Sequence, residues 1–456
     1  MDFELIYAKI FAMYNIRPSH GIEAEVTIPA DKSISHRAVF LSALCPGKTK
    51  IYPFLNSDDT EATLDCIKKL GVNCYRGSSS KDSLYVQGEG LYFPKEGEVK
   101  LFAGESGTTI RILTGLLVGQ KFSSNFSAST YLSRRPMGRI INPLSEMKAD
   151  ISGKQKTVQG KEDIYPPLVI KPVSQLIGKE HKNKIASAQV KSALLLAGLY
   201  AKGKTTVEEP HRSRDHTEKM LKSFGADIKI NNTTVTLTPG SKLSPPKEIF
   251  IPSDFSSAAF FIVLGLILEN SQITIKNVNL NPTRCGLLKV LERMGADITI
   301  KNQKNQIEPY GDIVVKSSKL KSVVVEPEEI PAMIDEVPIL CVAAAFAKGE
   351  TQIKGVKELT VKETDRVRSM TNNLGKAGVD IVKKHYGQDD LKIEINGGRG
   401  YRGGEFESYG DHRTAMSMVI FALAAKRPSS IDDSRCINKS FSEFIKIVEK
   451  IKKDED

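Results

Sequence analysis

The chain has 456 residues, 40% hydrophobic and 26% charged, a composition typical of a soluble globular protein and a length too great for one compact core. Its net charge of +11 leaves three interpretations open: a lysine-rich surface, a nucleic-acid-binding surface, or a focused positive site for a small polyanion. The sequence has no tryptophan and no basic stripe with interleaved aromatic residues, which disfavours the nucleic-acid class. The longest apolar run, residues 258–268, is too short to span a bilayer, and no secretion signal is apparent, so we expect no membrane partner.

Six apolar runs with polar starts recur along the chain, 69–79 residues apart, and each predicts a helix. In chain order they are SHRAVFLSAL, TTIRILTGLLVG, SAQVKSALLLAGLYAKG, SSAAFFIVLGLIL, DEVPILCVAAAFAKG and HRTAMSMVIFALAAK, beginning near Ser35, Thr108, Ser187, Ser256, Asp335 and His412. Helices this apolar on all sides are normally buried. Their charged first turns therefore indicate helix N-termini that converge on a wet cleft, where free N–H groups and the helix dipole favour anions.

A strand and a second, amphipathic helix follow most of these runs. The strands read GKTKIYPF, GKTTVEEP, NSQITIKN and GETQIKGV, and the second helices end at Gly71, Gly225, Gly295 and Gly378. A glycine there predicts a left-handed C-cap, and Lys148 replaces it in one damaged copy. The common order predicts six copies of one α/β repeat, the sixth ending in a helix at 441–453 with no strand after it.

Six copies divide naturally into two sets of three. We expect one domain at residues 31–251 and a discontinuous one at 1–30 with 252–456, the chain crossing near 29–31 and 250–252. The first twelve residues, MDFELIYAKIFA, carry no matched motif, so a chain that begins at Met13 should be soluble and active.

Two motif matches fail on context. Residues 198–205 fit a phosphate-binding G-x-x-x-x-G-K-[ST] loop, but a helix precedes them and a strand follows, the reverse of what that loop needs. Residues 398–403 fit G-x-G-x-x-G, yet no helix follows, and we expect a hairpin connection. The six scattered cysteines predict free buried thiols of a cytoplasmic protein, and no histidine or cysteine spacing predicts a metal site.

Dense polar clusters mark several helix starts. They are residues 31–37, 104–111, 133–136 and 187–189, Asp335 with 362–366, and 411–413 with Lys439. Any one of them fits a helix cap with a surface ion pair. Together they place strong cations in five of six repeats beside isolated carboxylates, which favours a substrate with several anionic groups and proton-transfer chemistry.

The segments that carry these clusters resemble one known family. DKSISHRA, GESGTTIR, RRPMGR, SAQVKSALLLAG, RDHTEKM, VKETDR and GDHRTAM occur in the order seen in 5-enolpyruvylshikimate-3-phosphate synthases, which belong to the enolpyruvyl transferases. The resemblance runs from about Met13 to Lys450, and DKSISHRA with VKETDR and GDHR is highly specific. It implies an α/β fold of two domains, each of three βαβαββ repeats, in an inside-out α/β barrel.

The resemblance implies transfer of the enolpyruvyl group of phosphoenolpyruvate to the 5-hydroxyl of shikimate 3-phosphate, releasing phosphate, in chorismate and aromatic amino-acid biosynthesis. The implied shikimate 3-phosphate residues are Lys32, Ser33, Arg37, Ser187, Gln189, Arg214, Asp335 and Lys362. The implied phosphoenolpyruvate residues are Lys32, Gly107, Arg135, Gln189, Arg366, Arg413 and Lys439.

Three residues are implied as catalytic. Asp335 would accept the hydroxyl proton, and Glu363 and Lys32 are the candidates for protonating the enolpyruvyl methylene, in an addition that gives a ketal followed by elimination of phosphate. Two anionic substrates repel each other, so a cation-rich site must neutralise both, and domain closure would exclude water. The resemblance implies no metal or organic cofactor, and we expect a monomer whose partners are these small molecules.

The sequence also departs from the family pattern and has rivals. Glu105 and Glu358 stand where the family often has asparagine, Ala188 where many members have serine, and Arg214 replaces a tyrosine-bearing stretch, as in a divergent second class. The nearest rival is a UDP-N-acetylglucosamine enolpyruvyl transferase, which typically has asparagine after the first lysine and a loop cysteine. Here Ser33 takes that place and no cysteine lies between residues 74 and 285. A salt-dependent gel shift would test the nucleic-acid alternative.

Overall fold

The structure is a computed structural model that describes residues 13–77, 82–158, 160–398 and 400–453. The expectation that the first twelve residues are dispensable concerns residues outside this description. The described α-helices are α1 Lys32–Ala43, α2 Asp58–Lys69, α3 Gly107–Leu117, α4 Gly138–Glu146, α5 Ala188–Gly198, α6 His216–Ser223, α7 Phe255–Ile267, α8 Gly286–Arg293, α9 Val337–Ala345, α10 Arg366–Lys376, α11 His412–Leu423 and α12 Phe444–Ile451. Each predicted apolar run forms an odd-numbered helix, so that prediction is confirmed.

The strands follow the same repeat. In chain order they are β1 Tyr14–Ile16, β2 Glu23–Val26, β3 Gly47–Tyr52, β4 Asn73–Arg76, β5 Leu84–Gly88, β6 Glu98–Phe102, β7 Ser123–Ser127, β8 Asp150–Val158, β9 Lys161–Lys171, β10 Leu176–Ile177, β11 Glu180–Lys182, β12 Ala201–Lys202, β13 Thr205–Glu208, β14 Asp227–Asn231, β15 Thr234–Thr238, β16 Glu248–Phe250, β17 Gln272–Asn279, β18 Asp297–Asn305, β19 Pro309–Lys316, β20 Val324–Val325, β21 Gly349–Lys354, β22 Asp380–Tyr386, β23 Asp390–Gly397, β24 Glu405–Phe406 and β25 Ser429–Ile431.

Five four-stranded sheets share one topology. In each, an edge strand pairs parallel with the next strand, and that strand pairs antiparallel with the second strand of a hairpin. The orders are β16-β3-β5-β4, β6-β7-β9-β8, β11-β13-β15-β14, β2-β17-β19-β18 and β20-β21-β23-β22. With the helices included, the second and fifth copies read βαβαββ along the chain, and the third does so apart from the short strand β12, which pairs with β10 in a separate sheet. The α/β class and the predicted repeat are therefore confirmed.

The sixth copy ends in α12, as predicted, and within the described residues no hairpin follows this helix. Its sheet is β24-β25-β1, in which β1, from the start of the chain, pairs antiparallel with β25 and takes the hairpin strand's place. Tyr14 faces Ile431 and Ile16 faces Ser429 in this register. Strands from outside also complete the first and fourth copies, since β16 pairs with β3 and β2 pairs with β17.

The chain divides into two compact units. Unit 1 comprises Met1–Pro29 and Pro252–Asp456, and unit 2 comprises Ala30–Ile251. Unit 1 contains α7 to α12, and unit 2 contains α1 to α6. The discontinuity of unit 1 follows from β1 and β2, which precede unit 2 in the chain but belong to sheets of unit 1.

The odd-numbered helices form the interiors of the units. All thirteen residues of α7 are buried, and α7, α9 and α11 pack against one another in unit 1. In unit 2, α3 and α5 cross so closely that a side chain on Gly115 would lie 2.2 Å from the carbonyl oxygen of Ala193. A larger residue at 115 would therefore force these two helices apart.

The predicted helix ends are also confirmed. Gly71, Gly225, Gly295 and Gly378 have φ between +86° and +95°, the left-handed conformation that glycine adopts at no steric cost. Lys148, in the damaged copy, adopts the same conformation at φ +69°. The backbone geometry of the repeat thus persists where its preferred residue has been lost.

The described residues also settle several smaller expectations. All six cysteines are free and buried. Gly203 lies in the turn between β12 and β13. Helix α5 ends where the 198–205 match begins and strand β13 starts where it ends, which is the reverse of a phosphate-binding loop. The expected hairpin at 398–403 is wrong, because β23 and β24 belong to different sheets. In the described parts of the chain, no helix is long and apolar enough to cross a membrane.

Candidate active site

In unit 2, the first cluster surrounds the start of α1. The Asp31 carboxylate caps the helix by accepting from the Ile34 amide at 3.0 Å. The Lys32 ammonium donates to Asp59 at 3.1 Å, and both side chains are partly exposed. One predicted substrate lysine is therefore held by a carboxylate from the start of α2 and remains accessible to a ligand.

A guanidinium next to this lysine is nearly buried. Arg37 donates to the Ser33 carbonyl at 2.9 Å, to the Thr217 hydroxyl at 2.8 Å and to the Ser192 hydroxyl at 3.0 Å. Arg214 donates to the Ser33 hydroxyl at 3.4 Å. The structure therefore brings together Ser33, Arg37 and Arg214 of the predicted shikimate 3-phosphate set, with α1, α5 and α6 all contributing.

A second group in unit 2 combines three residues of the predicted phosphoenolpyruvate set. Gly107, the first residue of α3, lies so close to two guanidiniums that an added Cβ would be 2.7 Å from Arg111 and 3.5 Å from Arg135. Arg111 donates to the side-chain oxygen Oε1 of Gln189 at 3.1 Å, and Nε2 of Gln189 donates to the Thr108 hydroxyl at 3.1 Å. The absence of a side chain at Gly107 leaves room for these cations beside a helix N-terminus, an arrangement suited to an anion.

In unit 1, Arg366 is the centre of a carboxylate cluster. Its guanidinium is 2% exposed and donates to Asp411 at 2.9 Å, to Glu363 at 2.7 Å and to Asp335 at 3.3 Å. Burial works against its charge, but the three carboxylates together raise the pKa of Arg366 above its ordinary value. One fixed cation thus orients both the predicted base, Asp335, and one predicted acid, Glu363.

Arg413 approaches the same carboxylate from α11. It donates to the Asp335 carbonyl at 3.0 Å and lies 3.7 Å from both Asp335 Oδ2 and Glu336 Oε1. Glu336 is fully buried, accepts from Ser256 and lies 3.8 Å from Arg284. Burial raises the pKa of Glu336, while the two arginines oppose that effect.

The fifth apolar helix begins two residues after Asp335. It starts at Val337, with Pro338 in its first turn, and the N-cap residue Glu336 makes no side-chain capping bond. Asp335 lies in the preceding turn, where its carboxylate pairs with Arg366. Ion pairs with Arg366 and Arg413 therefore hold this carboxylate beside the helix start.

Two predicted unit 1 residues lie apart from the carboxylate cluster. Lys362 donates to Glu358 at 3.1 Å, so the glutamate that departs from the family pattern pairs with a predicted substrate lysine. Lys439 ends a short 3-10 helix, Arg435–Lys439, that packs against α11, and its exposed side chain acts electrostatically on Asp433. Two residues of the site were not predicted from the sequence: Asp59, which pairs with Lys32, and Arg284, which lies near Glu336. Arg284 precedes the apolar start of α8, and a charged residue at that position could have indicated a buried ion pair.

His36→Asn is expected to flatten the dependence of stability on pH. His36 is fully buried, its Nδ1 lies 2.6 Å from the Thr63 hydroxyl, and burial lowers its pKa to about 3. The unfolded chain takes up this proton near pH 6.5, whereas the folded chain does so only near pH 3. The stabilisation by neutral His36 is therefore fully present above pH 6.5 and is lost as the pH falls from 6.5 towards 3. Between pH 7 and pH 5, His36 should account for a loss of about 2 kcal/mol in the free energy of unfolding.

Urea unfolding of both proteins at pH 7 and pH 5 measures this difference. The remaining titratable groups are common to the two proteins, so the comparison isolates His36. An equal loss of stability in wild type and variant would contradict the assignment of a neutral histidine.

The described residues contain no group of three or more histidine, cysteine, aspartate or glutamate side chains that could hold a metal ion. The candidate site residues described above are arginines, lysines, hydroxyls and paired carboxylates. Such a set binds anions and moves protons.

Comparisons with known proteins agree with this chemistry. A sequence model described as EPSP synthase (3-phosphoshikimate 1-carboxyvinyltransferase) matches residues 16–448. Proteins named 3-phosphoshikimate 1-carboxyvinyltransferase are 47% identical in Petrotoga mobilis and 46% in Thermodesulfovibrio yellowstonii, each aligned over 96% of this chain and 99% of the relative.

Solved structures give the same result. An EPSP synthase from Acinetobacter baumannii superposes with a TM-score of 0.85 at 37% identity, covering 96% of this chain and 98% of that one. The enolpyruvyl transferase NikO from Streptomyces tendae, with a TM-score of 0.71 at 14% identity over 96% of this chain and 97% of its own, shares the fold. The chain therefore belongs to the EPSP synthase (3-phosphoshikimate 1-carboxyvinyltransferase) family.

Proposed function

We propose that this protein transfers the enolpyruvyl group of phosphoenolpyruvate to the 5-hydroxyl of shikimate 3-phosphate and releases phosphate. The family match over residues 16–448 supports this overall reaction. The relatives' shared name also disfavours UDP-N-acetylglucosamine as the acceptor. The residue roles below extend that assignment and rest on the contacts within each unit.

In unit 2, we assign the phosphate and hydroxyl groups of shikimate 3-phosphate to Ser33, Arg37, Ser187 and Arg214. The Arg37 and Arg214 guanidiniums both contact Ser33, and such a pair matches a phosphate, because arginine presents a planar fork of donors. Ser187 caps α5 and keeps its partly exposed hydroxyl at the helix N-terminus. The anionic substrate is thus met by cations and by a helix dipole of the matching sign.

The phosphoenolpyruvate set in unit 2 consists of Gly107, Arg135 and Gln189. Gly107 lets a ligand approach the backbone N–H groups at the start of α3, with the Arg111 and Arg135 guanidiniums alongside. We assign Lys32 and Gln189 to both substrates. Lys32 pairs with a partly exposed carboxylate, Asp59, so a ligand phosphate can compete for the ammonium.

In unit 1, Asp335 and Glu363 supply the proton chemistry. Asp335 accepts the proton of the 5-hydroxyl while the hydroxyl oxygen bonds to C2 of phosphoenolpyruvate. Glu363 or Lys32 donates a proton to C3. The resulting ketal then loses a proton from its methyl group together with phosphate, which restores the double bond. Arg366 and Arg413 orient Asp335 and, with Lys439, bind the donor substrate, while Lys362 contributes to shikimate 3-phosphate binding.

These roles rest on one observation: the buried guanidinium of Arg366 pairs with both Asp335 and Glu363. A general base and a general acid must be held in fixed positions within one site, and a common cation does so. The proposal also includes a cytoplasmic monomer, supported by six free cysteines of the kind found in reducing compartments. Domain closure stays a prediction.

The test is phosphate release from phosphoenolpyruvate with and without shikimate 3-phosphate, and with UDP-N-acetylglucosamine in its place. We expect release only with shikimate 3-phosphate. Release with the nucleotide sugar alone would replace the proposed acceptor, and no release with either would contradict the proposed reaction.

A further inference from the structure

A buried ion triad lies behind the shikimate 3-phosphate residues of unit 2. The Lys191 ammonium on α5 lies 2.7 Å from Glu209 and 2.8 Å from Glu218, and all three side chains are 1–2% exposed. Burial of such a group costs free energy, because its charges are removed from water. Only good ion-pair geometry and full hydrogen bonding offset that cost. Replacement by apolar residues would serve packing equally well, so the triad calls for another explanation.

Glu209 is the member of the triad that reaches the substrate residues. Its Oε1 accepts from the Ser187 amide at 2.8 Å, which fixes the residue that caps α5. Both of its oxygens accept from the Ser213 hydroxyl at 2.7 Å, and Oε2 also accepts from the Ser213 amide at 3.3 Å. Lys191 donates to the Ser213 carbonyl at 3.4 Å. Ser213 is followed directly by Arg214, which donates to Ser33.

We propose that Glu209, held by Lys191, is a positioning residue that fixes Ser187 and the Ser213–Arg214 segment in the geometry that binds the phosphate-bearing acceptor substrate. The inference rests on the proposed function for the identity of that substrate. Glu209 itself is buried and acts only through the two segments that it joins.

Glu218 shares the lysine but not this role. It pairs with Lys191 at 2.8 Å, whereas Ser187 and Ser213 both donate to Glu209. Burial raises the pKa of Glu218, and Lys191 opposes that effect. Glu209 and Glu218 are therefore a matched pair: each is a buried carboxylate on the same ammonium, and only one of them contacts the substrate-binding segments.

Gln189, a phosphoenolpyruvate residue on the same helix as Lys191, is held by contacts that do not involve Glu209. Gln189 is held from α3 by Arg111 at 3.1 Å and Thr108 at 3.1 Å. Loss of the Glu209 contacts should therefore change binding of shikimate 3-phosphate much more than binding of phosphoenolpyruvate. A purely structural role for Glu209 predicts no such difference between the substrates.

The experiment compares wild type, Glu209→Gln and Glu218→Gln by steady-state kinetics, with calorimetric titration of shikimate 3-phosphate. Both oxygens of Glu209 accept from donors, and an amide offers only one acceptor, so in Glu209→Gln an NH2 group must face a donor. We expect the KM and Kd for shikimate 3-phosphate to rise about tenfold or more, as for an unsatisfied buried donor, with KM for phosphoenolpyruvate within about twofold of wild type. Glu218→Gln should leave both constants within about twofold.

The outcomes separate the two hypotheses. A wild type that neither binds shikimate 3-phosphate nor releases phosphate contradicts the proposed function itself. With an active wild type, equal changes in both substrates, or equal effects of the two variants, overturn the positioning role. If Glu209→Gln does not fold, Ser213→Ala decides: a selective rise of about twofold to fivefold in the KM for shikimate 3-phosphate supports the role, and an unchanged KM overturns it.

Discussion

Asp335→Asn is expected to lower kcat about a hundredfold or more, as for loss of a positioned general base, while the protein stays folded. The amide is nearly isosteric with the carboxylate but cannot take up the hydroxyl proton. Arg366 keeps its bonds to Asp411 at 2.9 Å and Glu363 at 2.7 Å, so the surrounding cluster should keep its geometry. Measurement of kcat, both KM values and Tm on one purified variant separates lost chemistry from lost fold.

Asp365→Asn is the matched control for this change. Asp365 caps α10 by accepting from the Arg368 amide at 2.9 Å, and asparagine caps about as well as aspartate. The control should keep kcat within about twofold of wild type. Turnover close to wild type in Asp335→Asn would remove Asp335 from the mechanism.

Arg135→Ala and Arg413→Ala are each expected to weaken capture of phosphoenolpyruvate. Removal of a cation from a desolvated anion typically costs ~2–5 kcal/mol, and the loss should appear mainly in the KM for this substrate. Arg135 lies beside Gly107 in unit 2, and Arg413 contacts Asp335 in unit 1. The second variant should therefore also lower kcat, because Asp335 loses one of its two orienting guanidiniums.

Arg134→Ala serves as the control for Arg135→Ala. It removes the same side chain one residue earlier, at an exposed position at the end of a 3-10 helix, Leu132–Arg134, so both Michaelis constants should stay at their wild-type values. Unchanged Michaelis constants and turnover in both Arg135→Ala and Arg413→Ala would contradict the assignment of the donor-substrate residues.

Sequence patterns predict the repeat well because its signals are local. The left-handed glycines close helices within a few residues of the apolar pattern that they end, so Gly225 and Gly295 could be placed without tertiary information. The start of α9 could not be placed to the residue. The apolar run includes Asp335, but ion pairs from α10 and α11 hold that carboxylate in the turn before the helix.

The candidate site is less predictable because its contacts are not local. Arg366 joins carboxylates from positions 335, 363 and 411, and only the pair with Glu363 links residues close in sequence. Lys191 lies within an apolar run and is buried. Its two partners lie on other elements of unit 2, and no periodicity identifies them.

The pairing of β1 with β25 has a consequence for biosynthesis. During synthesis from the N-terminus, the ribosome makes the first strand of unit 1 long before its partner, since Tyr14 must wait for Ile431. At about 5–20 residues per second, this delay lasts tens of seconds, in which all of unit 2 emerges. β1 therefore stays unpaired until Ile431 has been made, whereas β2 can pair once Gln272–Ile275 has been made. Unit 2 can fold during synthesis, whereas unit 1 can complete its sheets only when the chain is nearly finished.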